Sequence, residues 1–138
     1  MSSILERLSR VVESHVPLQV LDAASKTIAA EVDADSCSIF LMEPTSPGLH
    51  LRSGFGHLAL TDALKAAVLT VAGQALVTTR AVFIAGPPHS LLAVPMMLRG
   101  RPIGAIVAQA QDHSFSGEHE RTLSVIAAHM VGVVESAR

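Results

Sequence analysis

The stretch LLAVPMMLRGRPIGAIVAQAQ, residues 91–111, joins two apolar runs across the turn-forming residues 98–102. Gly100 can adopt the positive φ that a two-residue type II′ turn requires at its first central position, so the stretch predicts a tight β-hairpin. The run 91–98 is apolar at nearly every position, which is typical of a strand buried on both faces. The hairpin therefore predicts a sheet that is covered on both sides.

The strand after the turn places different residues on its two faces, because successive side chains of a strand point in opposite directions. One face is predicted to carry Ile103, Ala105, Val107, Gln109 and Gln111. The other face is predicted to carry Gly104, Ile106, Ala108 and Ala110. The glycine and the alanines on this second face leave room for a closely packed helix or for a cavity.

Three more strands are predicted outside this hairpin. Residues 36–43, SCSIFLME, are rich in strand-forming residues and stop at the turn-forming stretch 44–48, after which 49–55 completes a second hairpin. A short strand over 81–84 leads into a compact turn at 86–88, directly before the first hairpin.

Two helices are predicted in the second half of the chain. Residues 61–79 are rich in Ala and Leu; Thr61 is placed to cap them, and Gly73 leaves open whether they form one piece or two. The last helix follows a second cap at Ser116, with Glu118 and Glu120 in its first turn. Its apolar residues alternate spacings of three and four, as in a coiled-coil seam: Leu123, Ile126, Met130, Val133 and Ala137.

Two further helices are predicted at the amino end. The first carries an apolar stripe at helical spacing, formed by Ile4, Leu8, Val11 and His15 and widened by Leu5 and Val12. The second begins at Pro17, a residue that the first helical position accepts, and ends near 33–35. Its apolar face is formed by Leu18, Leu21, Ile28 and Val32.

The predicted order is helix, helix, strand, strand, helix, strand, strand, strand, helix. Helices packed against an antiparallel sheet define the α+β class. The chain has 138 residues, of which 49% are hydrophobic, and this is enough for one core. We therefore predict a single α+β domain over residues 1–138.

The composition argues against several classes of partner. The net charge is -2, from 10 basic and 12 acidic residues without a run of either sign, so neither nucleic acid nor an anionic membrane is expected. The start MSSILERLSR is unlike a secretory signal and no apolar stretch has the length of a membrane span, so a cytoplasmic location is expected. The lone Cys37 fits a reducing compartment.

Three stretches resemble the GAF domain, a small-molecule-sensing module of bacterial regulators, photoreceptors and cyclic-nucleotide phosphodiesterases. They are ADSCSIFLME at 34–43, SLLAVPMMLRGRPIGAIVAQ at 90–109 and FSGEHERTLSVIAAHM at 115–130, which match the family's first strand, central hairpin and closing helix. The amino-terminal sequence is most similar to that of the GAF sensor that precedes the nitrogen-branch phosphoenolpyruvate-protein phosphotransferase. The resemblance implies a GAF-like sheet with the terminal helices on one face and a ligand pocket, roofed by loops and short helices, on the other.

The resemblance also implies which residues face that pocket. They lie on the first strand, after the second strand, in the middle helix and at the start of the hairpin: Ser38, Phe40, Phe55, Gly56, Val71, Ala72, His89 and Ser90. The segment 85–88 is shorter than the one that closes the pocket in many relatives, so the roof is expected to be reduced. The residue set associated with cyclic-nucleotide binding is also absent apart from Phe115 and a nearby acid, so cyclic GMP is not expected as the ligand.

No set of residues in the sequence points to catalysis, a cofactor or a metal. His113, His119 and His129 lack the i, i+4 spacing that places two metal ligands on one helix face. His89 is either an exposed loop residue or a hydrogen-bonding partner for an acidic ligand.

Cysteine chemistry is not expected either. Cys37 alternates with Ile39 and Leu41 toward the core, where a thiol is inert. The free methionine sulfoxide reductases share the GAF fold but work through several cysteines, so a single cysteine argues against that reaction. We expect a binding module that is not an enzyme and has no cofactor.

The helical stripes leave two interpretations open. The seam in the last helix and the amino-terminal stripe either pack only within the domain or also against the same helices of a second copy. The leading hypothesis is a homodimeric sensor that binds a small metabolite and signals through its terminal helices. The alternative is a degenerate GAF domain that only dimerises or docks to a protein; a cavity with convergent polar groups beside Phe55, Ala72 and His89 favours the sensor.

Overall fold

A computed structural model describes residues 18–43, 47–86, 88–111 and 113–137 of the chain. Its helices are α1 (Leu18–Glu31), α2 (Asp62–Thr78) and α3 (Gly117–Ala137). Its strands are β1 (Ser36–Met42), β2 (Leu49–Phe55), β3 (Val82–Ile84), β4 (Ser90–Leu98) and β5 (Arg101–Ala110). A single 3₁₀ turn, His57–Ala59, follows β2. The helix predicted from Ile4, Leu8 and Val11, and the start of the next at Pro17, lie outside the described residues.

The five strands form one sheet in the order β2-β1-β5-β4-β3, and every neighbouring pair is antiparallel. Helices lie on both faces of this sheet. Helices α1 and α3 pack on one face, which we call the α1/α3 face, and α2 packs on the other, the α2 face. The predicted α+β class is confirmed.

The β4–β5 hairpin lies inside the sheet, and β4 is buried on both faces as predicted. Leu92, Val94 and Met96 belong to the core beneath α1 and α3, whereas Leu91 and Ala93 belong to the core beneath α2. Each of these side chains is at most 3% exposed. Burying one side chain the size of Leu or Val is worth about 1.5–3 kcal/mol, so this strand contributes to the stability of both layers.

The turn of this hairpin differs from the predicted one. Leu98 pairs with Arg101, so Arg99 and Gly100 are the two central residues, with φ of 52° and 78°. Positive φ at both positions is the type I′ pattern. The predicted type II′ turn, with Gly100 at its first central position, is wrong, because the strand register puts Arg99 there.

One face assignment in β5 is also wrong. The β4–β5 register shifts by one residue between Met96, which pairs with Gly104, and Met97, which pairs with Pro102. An extra residue at such a bulge breaks the alternation of side chains. Ile103 therefore packs against the α1/α3 core instead of sharing the α2 face with Ala105 and Val107.

The helix ends follow local sequence signals. Thr61 caps α2 by accepting a hydrogen bond from the amide of Leu64 at 3.2 Å, and α2 continues through Gly73 without a break. At the start of α3, the Ser116 hydroxyl accepts a hydrogen bond from the amide of His119. The strand predicted over 81–84 begins at Val82.

Replacing glycine by alanine should have opposite effects on stability in the β4–β5 turn and in α3. Gly100→Ala should destabilise the domain by about 1 kcal/mol, because alanine is strained at positive φ. Gly132→Ala should stabilise it by about 0.5–1 kcal/mol, since this helical glycine has open space where the methyl group would lie. Urea denaturation measures both; equal signs would contradict the assigned turn.

Candidate functional site

Polar side chains gather at one end of the α2 face, where β1 begins and β5 ends. Ser36 pairs with Gln109 and Ser38 with Val107, so the two serines and the glutamine share the face that also carries Phe40. Two histidines reach them from neighbouring loops. We call this set the polar cluster: Ser36, Ser38, His57, His89 and Gln109.

One part of the polar cluster is a chain of three side chains. The Ser36 hydroxyl donates to Oε1 of Gln109 at 2.9 Å, and Nε2 of Gln109 lies 2.9 Å from Nδ1 of His89. An amide nitrogen only donates, so Nδ1 of His89 accepts and the ring proton is assigned to Nε2. The chain links β1, β5 and the segment that enters β4.

The other part is a pair. The Ser38 hydroxyl and Nδ1 of His57 are 2.7 Å apart, and both residues are buried. The ring of Phe40 meets the imidazole edge-on, with centroids 6.4 Å apart. Gly54 is required beside this pair, because a Cβ there would lie 2.5 Å from Cβ of His57.

His57 favours its neutral form. Burial lowers the pKa of this imidazole, and the positive charge of Lys65 on α2 lowers it further. At neutral pH the ring is therefore an uncharged hydrogen-bonding group. Lys65, which is half-buried, brings a positive charge to the same region.

The predicted site residues divide between this cluster and its surroundings. Ser38 and His89 are members of the cluster, and Phe40 lies against His57. Gly56 adjoins it, because a Cβ at that position would lie 3.2 Å from Cβ of Ser36.

The remaining predicted residues lie outside the cluster. Val71 and Ala72 are buried in the α2 core. Ser90 accepts a hydrogen bond from the amide of Gly86 at 3.0 Å, which fixes the loop before β4. Phe55 pairs with Cys37, whose side chain belongs to the α1/α3 core, and lines a groove against α1 that His57 of the cluster also lines.

The space between α2 and the sheet is packed with apolar side chains. Val68, Val71 and Ala72 of α2 are at most 3% exposed and belong to one core cluster with Phe40 and Val107. The helix thus packs directly on the strands at this point.

The groove that contains Phe55 has a volume of about 420 Å³ and lies along the edge strand β2. The Ser53 hydroxyl there donates to Oδ1 of Asp22 at 2.5 Å and lies 3.4 Å from the Ser25 hydroxyl. These bonds connect β2 to α1. They stabilise the packing of the two elements rather than leaving polar atoms directed at a ligand.

The described residues contain neither a metal-binding cluster nor a membrane-spanning helix. Within residues 18–43, 47–86, 88–111 and 113–137, no three His, Cys, Asp or Glu side chains come close enough together to bind a metal ion. In those same ranges, no helix has the length and apolar character of a membrane span.

Comparison with known proteins identifies the family. A profile of the GAF domain matches residues 17–136. The chain belongs to the GAF domain family. No curated protein matched the sequence.

Several solved structures resemble this GAF domain. The GAF domain of an Acinetobacter phosphoenolpyruvate-protein phosphotransferase is 25% identical, with 96% of this chain and 91% of that one covered at a TM-score of 0.70. The corresponding domain from Coxiella burnetii is 19% identical, with 99% and 93% covered at 0.69. A type II free methionine-R-sulfoxide reductase from Thermoplasma acidophilum is 22% identical, with 94% and 96% covered at 0.68. The predicted similarity to the phosphotransferase sensors is confirmed.

The sequence prediction missed three members of the polar cluster of this GAF domain: Ser36, His57 and Gln109. Gln109 carried a signal, since it falls on the same face as Val107 in the run 103–110, which is otherwise apolar. His57 follows a pair of glycines around Phe55, which is the pattern of a tight loop rather than of a site. The pairing of β1 with β5 brings Ser36 and Gln109 together, and His57 reaches Ser38 of β1 from the turn after β2.

The pKa of His57 predicts a stability change with pH. In the unfolded chain this histidine has an ordinary pKa of ~6.5. Just below that pH the unfolded chain therefore binds more protons at residue 57 than the folded chain does. Lowering the pH through this range removes stability from the folded state. His57→Asn, which can still bond to Ser38, should therefore lose less stability than the wild type between about pH 7.5 and 5.5. Urea midpoints measure this difference.

His113 supplies the control. Backbone carbonyl oxygens of Asp33 and Ser114 raise the pKa of its imidazole, so its contribution is present at low pH and is lost as the pH rises through the raised value. His113→Asn should therefore change the pH dependence in the opposite direction. Parallel changes in the two variants would contradict the assignment.

Proposed function

We propose that this GAF domain is a regulatory module that binds a small polar metabolite at the polar cluster. The observation that carries the proposal is the convergence of two imidazoles, two hydroxyls and one amide on the α2 face. Buried polar groups are costly unless they are hydrogen-bonded, and the bonds within this cluster hold its donors and acceptors in fixed positions. Membership of a family whose domains are generally sensory or regulatory supports the same function.

The charges around the cluster favour an acidic ligand. In the assigned tautomer, His89 has its Nε2 proton left to donate. Lys65 adds a positive charge near His57. Small carboxylic acids, such as amino acids and 2-oxo acids, and nucleotides are therefore the compounds to test.

Cysteine catalysis is not part of the proposal. Cys37 is fully buried on the α1/α3 face, and burial raises the pKa of its thiol to about 12. A thiol nucleophile has to be ionised and accessible. We infer a non-enzymatic module, although one structural neighbour is a methionine sulfoxide reductase.

The second candidate function is a GAF domain that binds no metabolite and acts by dimerisation or docking. The tight packing of α2 on the sheet favours it, because Val68, Val71 and Ala72 fill the space between this helix and the strands. A homodimer would use the terminal helices, where Val125 of α3 is 69% exposed. Leu123 and Met130, which belong to the predicted seam, are instead buried against the sheet.

A thermal-shift screen distinguishes the two functions. A compound that binds only the folded state should stabilise it by about 2.7 kcal/mol at 100 times its Kd. We expect at least one amino acid, 2-oxo acid or nucleotide to raise the Tm of the wild type, and His89→Ala to reduce that shift. Ser124→Ala, on α3 across the sheet, is the matched control and should respond like the wild type.

The opposite outcome is equally definite. If no compound in the panel raises the Tm, the metabolite-binding proposal fails. Sedimentation equilibrium on the same samples then tests dimerisation, which requires a concentration-dependent dimer; a monomer at all concentrations would leave docking as the second function.

A further inference from the structure

The outer side of α2, which faces away from the sheet, has an apolar surface. Residues 66–79 carry no charge at all. On this outer side Leu69 is 48% exposed and Val77 is 86% exposed. A helix at the surface of a domain normally presents charged and polar side chains to water. The outer side of α2 therefore has the character of a surface that a partner covers.

The threonine hydroxyls of α2 are hydrogen-bonded within the helix itself. The Thr70 hydroxyl donates to the carbonyl oxygen of Ala66 at 2.9 Å, and the Thr78 hydroxyl donates to the carbonyl oxygen of Gln74 at 2.8 Å. Burying a polar group is costly mainly when it loses its hydrogen bond. A partner can therefore cover α2 without leaving these hydroxyls unsatisfied.

One stripe along this outer side alternates spacings of four and three residues, as a coiled-coil seam does. We call it the α2 stripe: Asp62, Ala66, Leu69, Gly73, Leu76 and Arg80. At 100° per residue, its helical members fall within about 80° of one another. Asp62 is the first residue of α2, and Arg80 lies two positions beyond the last.

We propose that a second copy of this chain covers the α2 stripe, with the two α2 helices packed antiparallel about a two-fold axis. The axis passes at the level of Val71, so each residue of the stripe faces the one that lies equally far on the other side of this level. A two-fold interface uses the same surface on both copies, which requires the stripe to be complementary to itself. The proposal goes beyond metabolite binding and concerns a different surface from that of the terminal helices.

The sizes of the side chains meet this requirement. In the antiparallel pair, Leu76 of one copy faces Ala66 of the other, and Leu69 faces Gly73. Each large side chain thus enters the space beside a small one, as knobs enter holes in a coiled coil. The space at Gly73 is open in the single chain, because a Cβ there would meet nothing within 4 Å.

The charges at the two ends of the stripe meet it as well. Asp62 of each copy faces Arg80 of the other, which gives two ion pairs for each dimer. Both residues are exposed, and neither forms an ion pair with another residue in the described part of the chain. A parallel pair would instead place like charges side by side, which is unfavourable. The charges therefore favour the antiparallel arrangement.

This dimer should be weak. The α2 stripe supplies far fewer residues than the ~20–30 that each partner contributes to a standard interface. We therefore expect a Kd between about 1 µM and 1 mM. Sedimentation equilibrium of the full chain at concentrations up to about 1 mM covers this range.

A pair of glycine variants tests which surface forms the dimer. Gly73→Leu fills the space that Leu69 of the other copy needs, so it should raise the Kd at least about tenfold. Gly132→Leu is the matched control, because Gly132 is also a helical glycine with open space at its Cβ position. It lies on α3, seven residues after Val125, and should dimerise like the wild type. Circular dichroism shows whether both variants are folded.

Exchange of the end charges tests the antiparallel order. Asp62→Arg and Arg80→Asp each bring like charges together at both ends of the interface, so each should raise the Kd about threefold to tenfold. The double variant again has opposite charges at both ends and should recover most of the wild-type affinity. A double variant that dimerises no better than the single ones would overturn the antiparallel pairing.

Two other results would overturn the proposal as a whole. The first is a wild-type chain that stays monomeric up to about 1 mM, which would leave the α2 stripe to a different protein. The second is a dimer that Gly73→Leu leaves intact; loss of that dimer in Gly132→Leu would assign it to the terminal helices. Neither result affects metabolite binding at the polar cluster, which the thermal-shift screen tests separately.

Discussion

The burial of the β4–β5 hairpin on both faces is the constraint on which the rest of the structure depends. A strand with apolar side chains on both sides requires a helical layer above and below it, since each exposed face would cost several kcal/mol of lost burial. Leu92 and Val94 require α1 and α3, whereas Leu91 and Ala93 require α2. The three layers of this GAF domain follow from that single requirement.

The polar cluster exists because the same alternation reaches the end of the sheet. On the α2 face, the paired positions change from Phe40 with Ala105, through Ser38 with Val107, to Ser36 with Gln109. Polar groups at such positions must find partners or pay the cost of burial. The serines and the glutamine bond to each other and to two histidines in the neighbouring loops. These bonds give the cluster a fixed geometry with defined donors and acceptors.

Strand β1 connects the two sides of the domain. Its serines face the polar cluster, while Cys37, Ile39 and Leu41 of the same strand pack in the core beneath α1 and α3. A ligand changes the terminal helices only if it binds two arrangements of this strand with different affinities. The close packing on both faces of β1 therefore links the polar cluster to the core beneath α1 and α3.

The sequence by itself determined the fold class, the order and nearly all bounds of the described helices and strands, and the burial of Cys37. These properties depend on periodicity and capping, which are local, and on a resemblance that the family profile confirms. The turn type and the face of Ile103 were decided only by tertiary structure, because the β4–β5 register and its bulge depend on which side chains the two layers bury. The polar cluster was decided in the same way: Ser36 and Gln109 are 73 positions apart, and only strand pairing brings their side chains within hydrogen-bond distance.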